Sequence, residues 1–141
     1  MDRVIDGEGR ILGRVSTYAA KSLLNGDSVV IINAEKIFIS GHLRNIVANY
    51  KQKVEFKDKA NPEHSPYISR RPDLFVKRVV RGMLPYQRPK GKNAYKRLRV
   101  YIGVPAGTAA PDTHALKKGE EVYENLVTVK ELSEKLGYRL D

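Results

Sequence analysis

Val29-Val30-Ile31-Ile32 is the stretch that most limits what this chain can become. Four β-branched residues in a row leave no polar face, so a strand built from them must be covered on both sides, as strands of parallel sheets are. The flanking sequence supplies the cover. Val4-Ile5 predicts a short strand ending in the turn Asp6-Gly7-Glu8-Gly9. Leu12, Val15, Ala19 and Leu23 then mark one face of a helix that Asn25-Gly26 terminates. Ile37 and Ile39 alternate with Lys36 and Ser40, predicting another short strand, and Leu43, Ile46, Val47, Tyr50 and Val54 outline a second amphipathic helix. This βαβ order implies helices covering a parallel sheet through right-handed connections.

Further along, residues 57–72 carry Pro62, Pro66 and Pro72 among polar residues and predict a long loop. A helix follows from about Asp73 to Leu84, with Phe75, Val76, Val79, Val80 and Met83 on one side and Lys77, Arg78 and Arg81 on the other. Pro85 stops it. Pro85 through Arg97, broken by Pro89 and Gly91, reads as an extended arm. Leu98 to Ile102 predicts a strand, and residues 104–119 a surface excursion. Thr128-Val-Lys-Glu131 has the capping-box pattern of a closing helix, with Leu132 and Leu136 inward and Gly137 as its exit. Ile31, Ile32, Val76, Val80 and Met83 are expected in the core. With no internal repeat and no second core, residues 1–141 are expected to form a single domain of ordinary size.

The charge is not spread over this framework. Residues 70–99 hold eleven Lys or Arg against one acid, Asp73, so that segment alone accounts for the formal charge of +10. Like charges packed together repel, and a polyanion is the partner that relieves them. Seven of the eleven are arginines, whose planar fork suits phosphate, and Tyr86 and Tyr95 lie among them as stacking surfaces for unpaired bases. The helix offers Lys77, Arg78 and Arg81, which are phosphate contacts, rather than amides that read a DNA groove. Folded RNA is therefore the expected partner. The expected contact set is Arg70, Arg71, Lys77, Arg78, Arg81, Tyr86, Arg88, Lys90, Lys92, Lys96, Arg97 and Arg99. Lacking apolar anchors, the arm is expected to order only when RNA arrives.

Other chemistries find little support. Cysteine is absent, which excludes disulfides and thiolate-bound metals, and His42, His64 and His114 lack ligand spacing. No apolar run approaches the roughly 20 residues of a membrane span, and Met1-Asp2-Arg3-Val4 resembles no signal peptide. The chain reads as soluble and intracellular, with no membrane partner. Gly7-x-Gly9-x-x-x-Gly13 invites a dinucleotide reading, but its spacing is one residue too long, Arg10 sits inside it, and Glu35 is a late candidate for the ribose acid. The plainer expectation is a tight turn plus a small residue where helix packs on sheet. Asp6 and Glu8 read as turn acids rather than a metal pair. No catalytic residues, metal site, cofactor or small-molecule substrate are expected. A Rossmann-like nucleotide-binding enzyme is the alternative that the glycine turn keeps open.

At the basic tract the sequence becomes familiar. Arg81-Gly-Met-Leu-Pro85 followed by Arg88-Pro-Lys-Gly91 resembles the signature of the universal large-subunit ribosomal protein family numbered thirteen. Ile5-Asp6 with Leu12-Gly13-Arg14-Val15-Ser16, then Val30 through Ile37 with Ser40-Gly41, then Leu98-Arg99-Val100-Tyr101 extend the likeness over most of the chain. Arg71-Pro72-Asp73 brings it closer to archaeal and eukaryotic members. The resemblance implies a three-layer α/β/α fold around a mainly parallel sheet of about four strands. It implies a non-catalytic, structural role in the cytoplasm, bound to large-subunit rRNA beside neighbouring ribosomal proteins, and explains the glycine turn without a cofactor. It also suggests RNA contact for Arg10 and Arg14. An RNA-binding regulator outside the ribosome is the second alternative.

Overall fold

In the computed structural model the described residues are 2–56, 59–61, 63, 69–108, 110–111, 118–119 and 123–139. Their order is β1 (Asp2–Asp6), α1 (Leu12–Leu24), β2 (Ser28–Ile32), a 3₁₀ turn (Ala34–Lys36), β3 (Phe38–Ser40), α2 (Leu43–Glu55), α3 (Pro72–Gly82), α4 (Pro89–Lys96), β4 (Leu98–Val100), β5 (Leu126–Thr128) and α5 (Val129–Lys135). Much of the expected 57–72 loop and 104–119 excursion, with His64 and His114, lies outside the described residues.

The β-branched run is central, as its composition demands. β2 pairs in parallel with β1, Asp2 to Ser28 through Asp6 to Ile32, and with β4, Val29 to Leu98 through Ile31 to Val100. This is the α/β sheet that the βαβ pattern implied, but three described strands wide rather than about four. The predicted strand at Ile37–Ile39 exists as β3, yet it pairs antiparallel with β5 in a separate sheet. Asn33 is the cause. Its backbone is left-handed at φ 54°, and the 3₁₀ turn behind it steers the chain out of the sheet plane. The Asn33 side-chain Nδ2 donates to Asp6 Oδ1 at 3.0 Å, its N–H donates to the Gly103 carbonyl, and Gly103 N–H donates to buried Glu35. Asp6 also accepts from Glu8 N–H, while the Glu8 carboxylate faces Lys36 Nζ at 3.6 Å.

Helix ends follow local chemistry. α1 closes with Gly26 at φ 98° and a bond from Asp27 N–H to the Ser22 carbonyl, and α5 closes likewise at Gly137 with Tyr138 bonded to Ser133. Thr128 caps α5 by accepting the Glu131 N–H at 3.1 Å. One apolar cluster joins Ile5, Val15, Leu23, Ile31, Val76, Val80, Leu98 and Leu132. Met83, expected in it, is 40% exposed and Leu84 is buried instead. Leu84 continues the buried row of Val76 and Val80 at four-residue steps, which leaves Met83 on the flank. There its sulfur lies 3.6 Å from Thr17 Oγ1, whose proton goes to the Gly13 carbonyl at 2.8 Å. Gly13 is exposed with open space where a side chain would stand, so it is not the packing glycine expected of it. Gly7 is the close-packed glycine of the turn, where a Cβ would run into Ile37.

The segment read as an extended arm is mostly helix. Pro89 occupies the first position of α4, where a missing N–H costs nothing and the fixed φ is already helical. The sequence expectation took Pro89 and Gly91 as breakers; one is a starter and the other a spacer. Ala94 is fully buried, and α4 packs on α1. These contacts are the anchors that the arm was expected to lack.

Candidate nucleic-acid interface

α3 and α4, joined through residues 83–88, bring most of the basic tract together. Pro72 starts α3, and Phe75, Val76 and Val80 bury one face. That burial leaves Arg78 exposed and Lys77 and Arg81 half-buried on the rest. Arg88, Lys90, Lys92 and Lys96 are exposed along α4 and its cap, as is Arg99 on β4. Arg70 is exposed before α3. Arg71 is exposed and pairs with Asp73 at 2.9 Å, which takes up the one acid of the segment. The remaining cations must find their negative charge elsewhere.

The two tyrosines organise cations. Arg81 Cζ sits 4.0 Å from the centre of the Tyr86 ring, and Lys77 Nζ sits 4.9 Å from that of Tyr95. The rings meet edge to face at 5.5 Å and 88°. A ring orders a cation without cancelling its charge, unlike a carboxylate. Burial raises the Tyr95 phenol above its ordinary range, with Arg81 and Arg78 pulling the other way. It therefore stays a neutral hydroxyl beside these guanidiniums at physiological pH. Between α3 and the start of α4 opens a cleft of about 520 Å³, lined by Arg78, Arg81, Leu84, Tyr86, Gln87 and Arg88 among others.

Not every expected contact faces this surface. Arg97 points inward: Nη2 donates to the Leu23 carbonyl at 2.6 Å and Nε to the Asp27 carbonyl at 3.4 Å, tying α4 to the end of α1. Arg97→Met is expected to cost about 2 kcal/mol of stability, the scale of a charge-assisted bond at a helix C-terminus. Urea unfolding checks it; a variant as stable as the parent would return Arg97 to the interface. Arg99 spends part of its guanidinium on the Lys96 and Leu98 carbonyls, at 3.3 and 3.4 Å. Arg14 is exposed on α1. Arg10 lies apart, its Nη1 donating to the Glu8 carbonyl at 2.9 Å. It lines a second cleft with Lys36 and Lys118 that shares no lining residue with the first.

Gln87 and Gly82 also line the basic cleft, and neither is among the expected contacts. A neutral amide among cations carries little signal, and a glycine ending a helix reads as a breaker. Elsewhere, His42 is an exposed residue at the start of α2 that makes no capping bond. Among the described residues, no helix is long and apolar enough to cross a membrane.

Comparison with known proteins points the same way. The family model described as Ribosomal protein L13 matches residues 2–106. The large ribosomal subunit protein uL13 of Methanocaldococcus jannaschii is 42% identical over 135 residues, covering 95% of this chain and 96% of the relative. Its counterpart in Archaeoglobus fulgidus is 41% identical over 140 residues, covering 96% and 88%. That of Methanosphaera stadtmanae is 48% identical over 106 residues, covering 74% and 75%.

Proposed function

The chain belongs to the ribosomal protein L13 family, and from that premise we propose that it is a structural, non-enzymatic constituent of the large subunit of cytoplasmic ribosomes. It binds folded large-subunit rRNA and holds segments of it together, with other ribosomal proteins as neighbours. The observation that carries this reading is the face built by α3 and α4. Arg78, Arg81 and Arg88 line one cleft there, Lys90, Lys92 and Lys96 are exposed round α4 beside it, and none of the six has a carboxylate among the ion pairs of the described residues. Phosphate is the counter-charge such a face fits, and contacts of this kind position a protein on RNA. Arg70, Arg71, Lys77 and Arg99 extend the contact set; Arg10 and Arg14 would meet RNA at other points of the surface.

Residues 1–141 act as one domain in this reading, since Val127, Val129 and Leu132 near the C-terminus share the apolar cluster of Ile5 and Ile31. Sucrose-gradient fractionation of cells expressing the tagged chain tests the proposal. Co-migration with large subunits that survives a high-salt wash is expected. A chain that stays at the top of the gradient, or washes off into a free RNA-bound pool, would overturn it in favour of a regulator outside the ribosome.

A further inference from the structure

We propose that the cleft between α3 and the start of α4 receives a single unstacked RNA nucleotide, its base against the Arg81–Tyr86 stack and its phosphate among Arg78, Arg81 and Arg88. The inference rests on the rRNA-binding reading and makes it specific. Electrostatics alone would need only a convex basic surface, yet the tract lines an open cleft of about 520 Å³, within the roughly 300–1,000 Å³ of small-ligand pockets and far too small for a duplex.

Its lining has the parts that an extruded nucleotide needs. Leu84 is buried at 6% exposure and, with Pro85, supplies apolar surface. Arg81 and Tyr86 are already stacked on each other, and unpaired bases stack on both aromatic rings and guanidiniums. Tyr86 is itself held edge to face by Tyr95, so the platform is ordered before RNA arrives. Gln87, the amide of the lining, carries both donors and an acceptor for a base edge.

Gly82 belongs to the same lining. It ends α3 without a positive φ, and a Cβ built there meets nothing within 4 Å. Neither conformation nor close packing asks for glycine at this position. What its missing side chain leaves free is space on the lining of the cleft.

The test uses the full chain and short RNA duplexes: one perfectly paired, one with a single bulged nucleotide (each of the four bases in turn), and one with an abasic bulge. The abasic form keeps the phosphate and the bend but removes the base. The preferred bulged base is expected to bind roughly tenfold tighter than the abasic bulge, the scale of one stacked base. Gly82→Leu, which adds side chain to open space, is expected to bring the two affinities together. Equal affinity of the parent chain for bulged and abasic RNA, or a preference that survives Gly82→Leu, would sink the cleft proposal alone. Failure to bind any of these duplexes would sink the rRNA-binding reading beneath it.

Discussion

Replacing Gly91 by alanine is expected to lower the melting temperature by roughly 10 °C and to weaken RNA binding along with it, because this glycine is the joint between α3 and α4. Gly91 is buried in the first turn of α4, and a Cβ there would be driven into the Pro85 carbonyl. That carbonyl is fixed. It accepts the Arg88 N–H at 2.9 Å, and the next residue, Tyr86, donates its N–H to the Leu84 carbonyl at 2.8 Å. A flexible side chain would yield by a rotamer change; backbone held at both ends yields only if α4 moves away from it. Overpacking of this kind costs roughly 1–3 kcal/mol, and the rigidity of the obstacle puts the expected cost at about 3 kcal/mol. Displacing α4 would also separate Tyr95 from Tyr86 and open the cleft. Gly13→Ala is the matched control: it is exposed in α1 with open space around it, so alanine there is expected to stabilise by up to about 1 kcal/mol. Differential scanning calorimetry of both variants decides the matter, and a Gly91→Ala chain melting with the parent would show that the contact is not a constraint.

Neutralising the cleft cations should have a large effect on affinity with no backbone displacement, the loss of the Arg81 contact with the Tyr86 ring being its one structural change. In Arg78→Gln/Arg81→Gln/Arg88→Gln three guanidiniums are lost, none of which holds an ion pair among those of the described residues. Each phosphate contact contributes about 0.7–0.9 to the slope of log K against log salt, so the triple variant is expected to lower that slope by about 2 to 3. At near-physiological salt this corresponds to an affinity loss on the order of a hundredfold or more for large-subunit rRNA. Fluorescence anisotropy across a salt series reads both quantities. An unchanged slope would place these arginines away from the phosphate backbone. Arg97→Met should behave in the opposite way, losing stability while leaving the slope in place, since that guanidinium is already bonded to α1.

The contrast between Arg97 and Arg78 shows where reading the sequence ends. Both are arginines in the same unbalanced run, and nothing local separates them; only the approach of residue 97 to the end of α1 decides which one is a tether. Met83 and Leu84 tell the same story at one-residue resolution. Helical periodicity marks a face some 100° wide, and the residue at its border is buried or exposed according to what packs opposite. α4 was missed for a related reason. Its eight residues carry only a small apolar stripe, so its stability comes from Ala94 and Gly91 meeting other parts of the chain rather than from its own pattern.

By itself the sequence determined the parallel core strand, the exit of α1, the cap and exit of α5, and the segregation of charge into residues 70–99, because each depends on residues within one turn or strand of each other. The tertiary structure decided that β3 leaves the main sheet to pair with β5 more than eighty residues on, that the basic arm is mostly helix, and that Arg78 and Arg81 of α3 line an open cleft with Arg88. Those outcomes depend on contacts between distant segments, and the free energy of such a contact is written in neither segment alone.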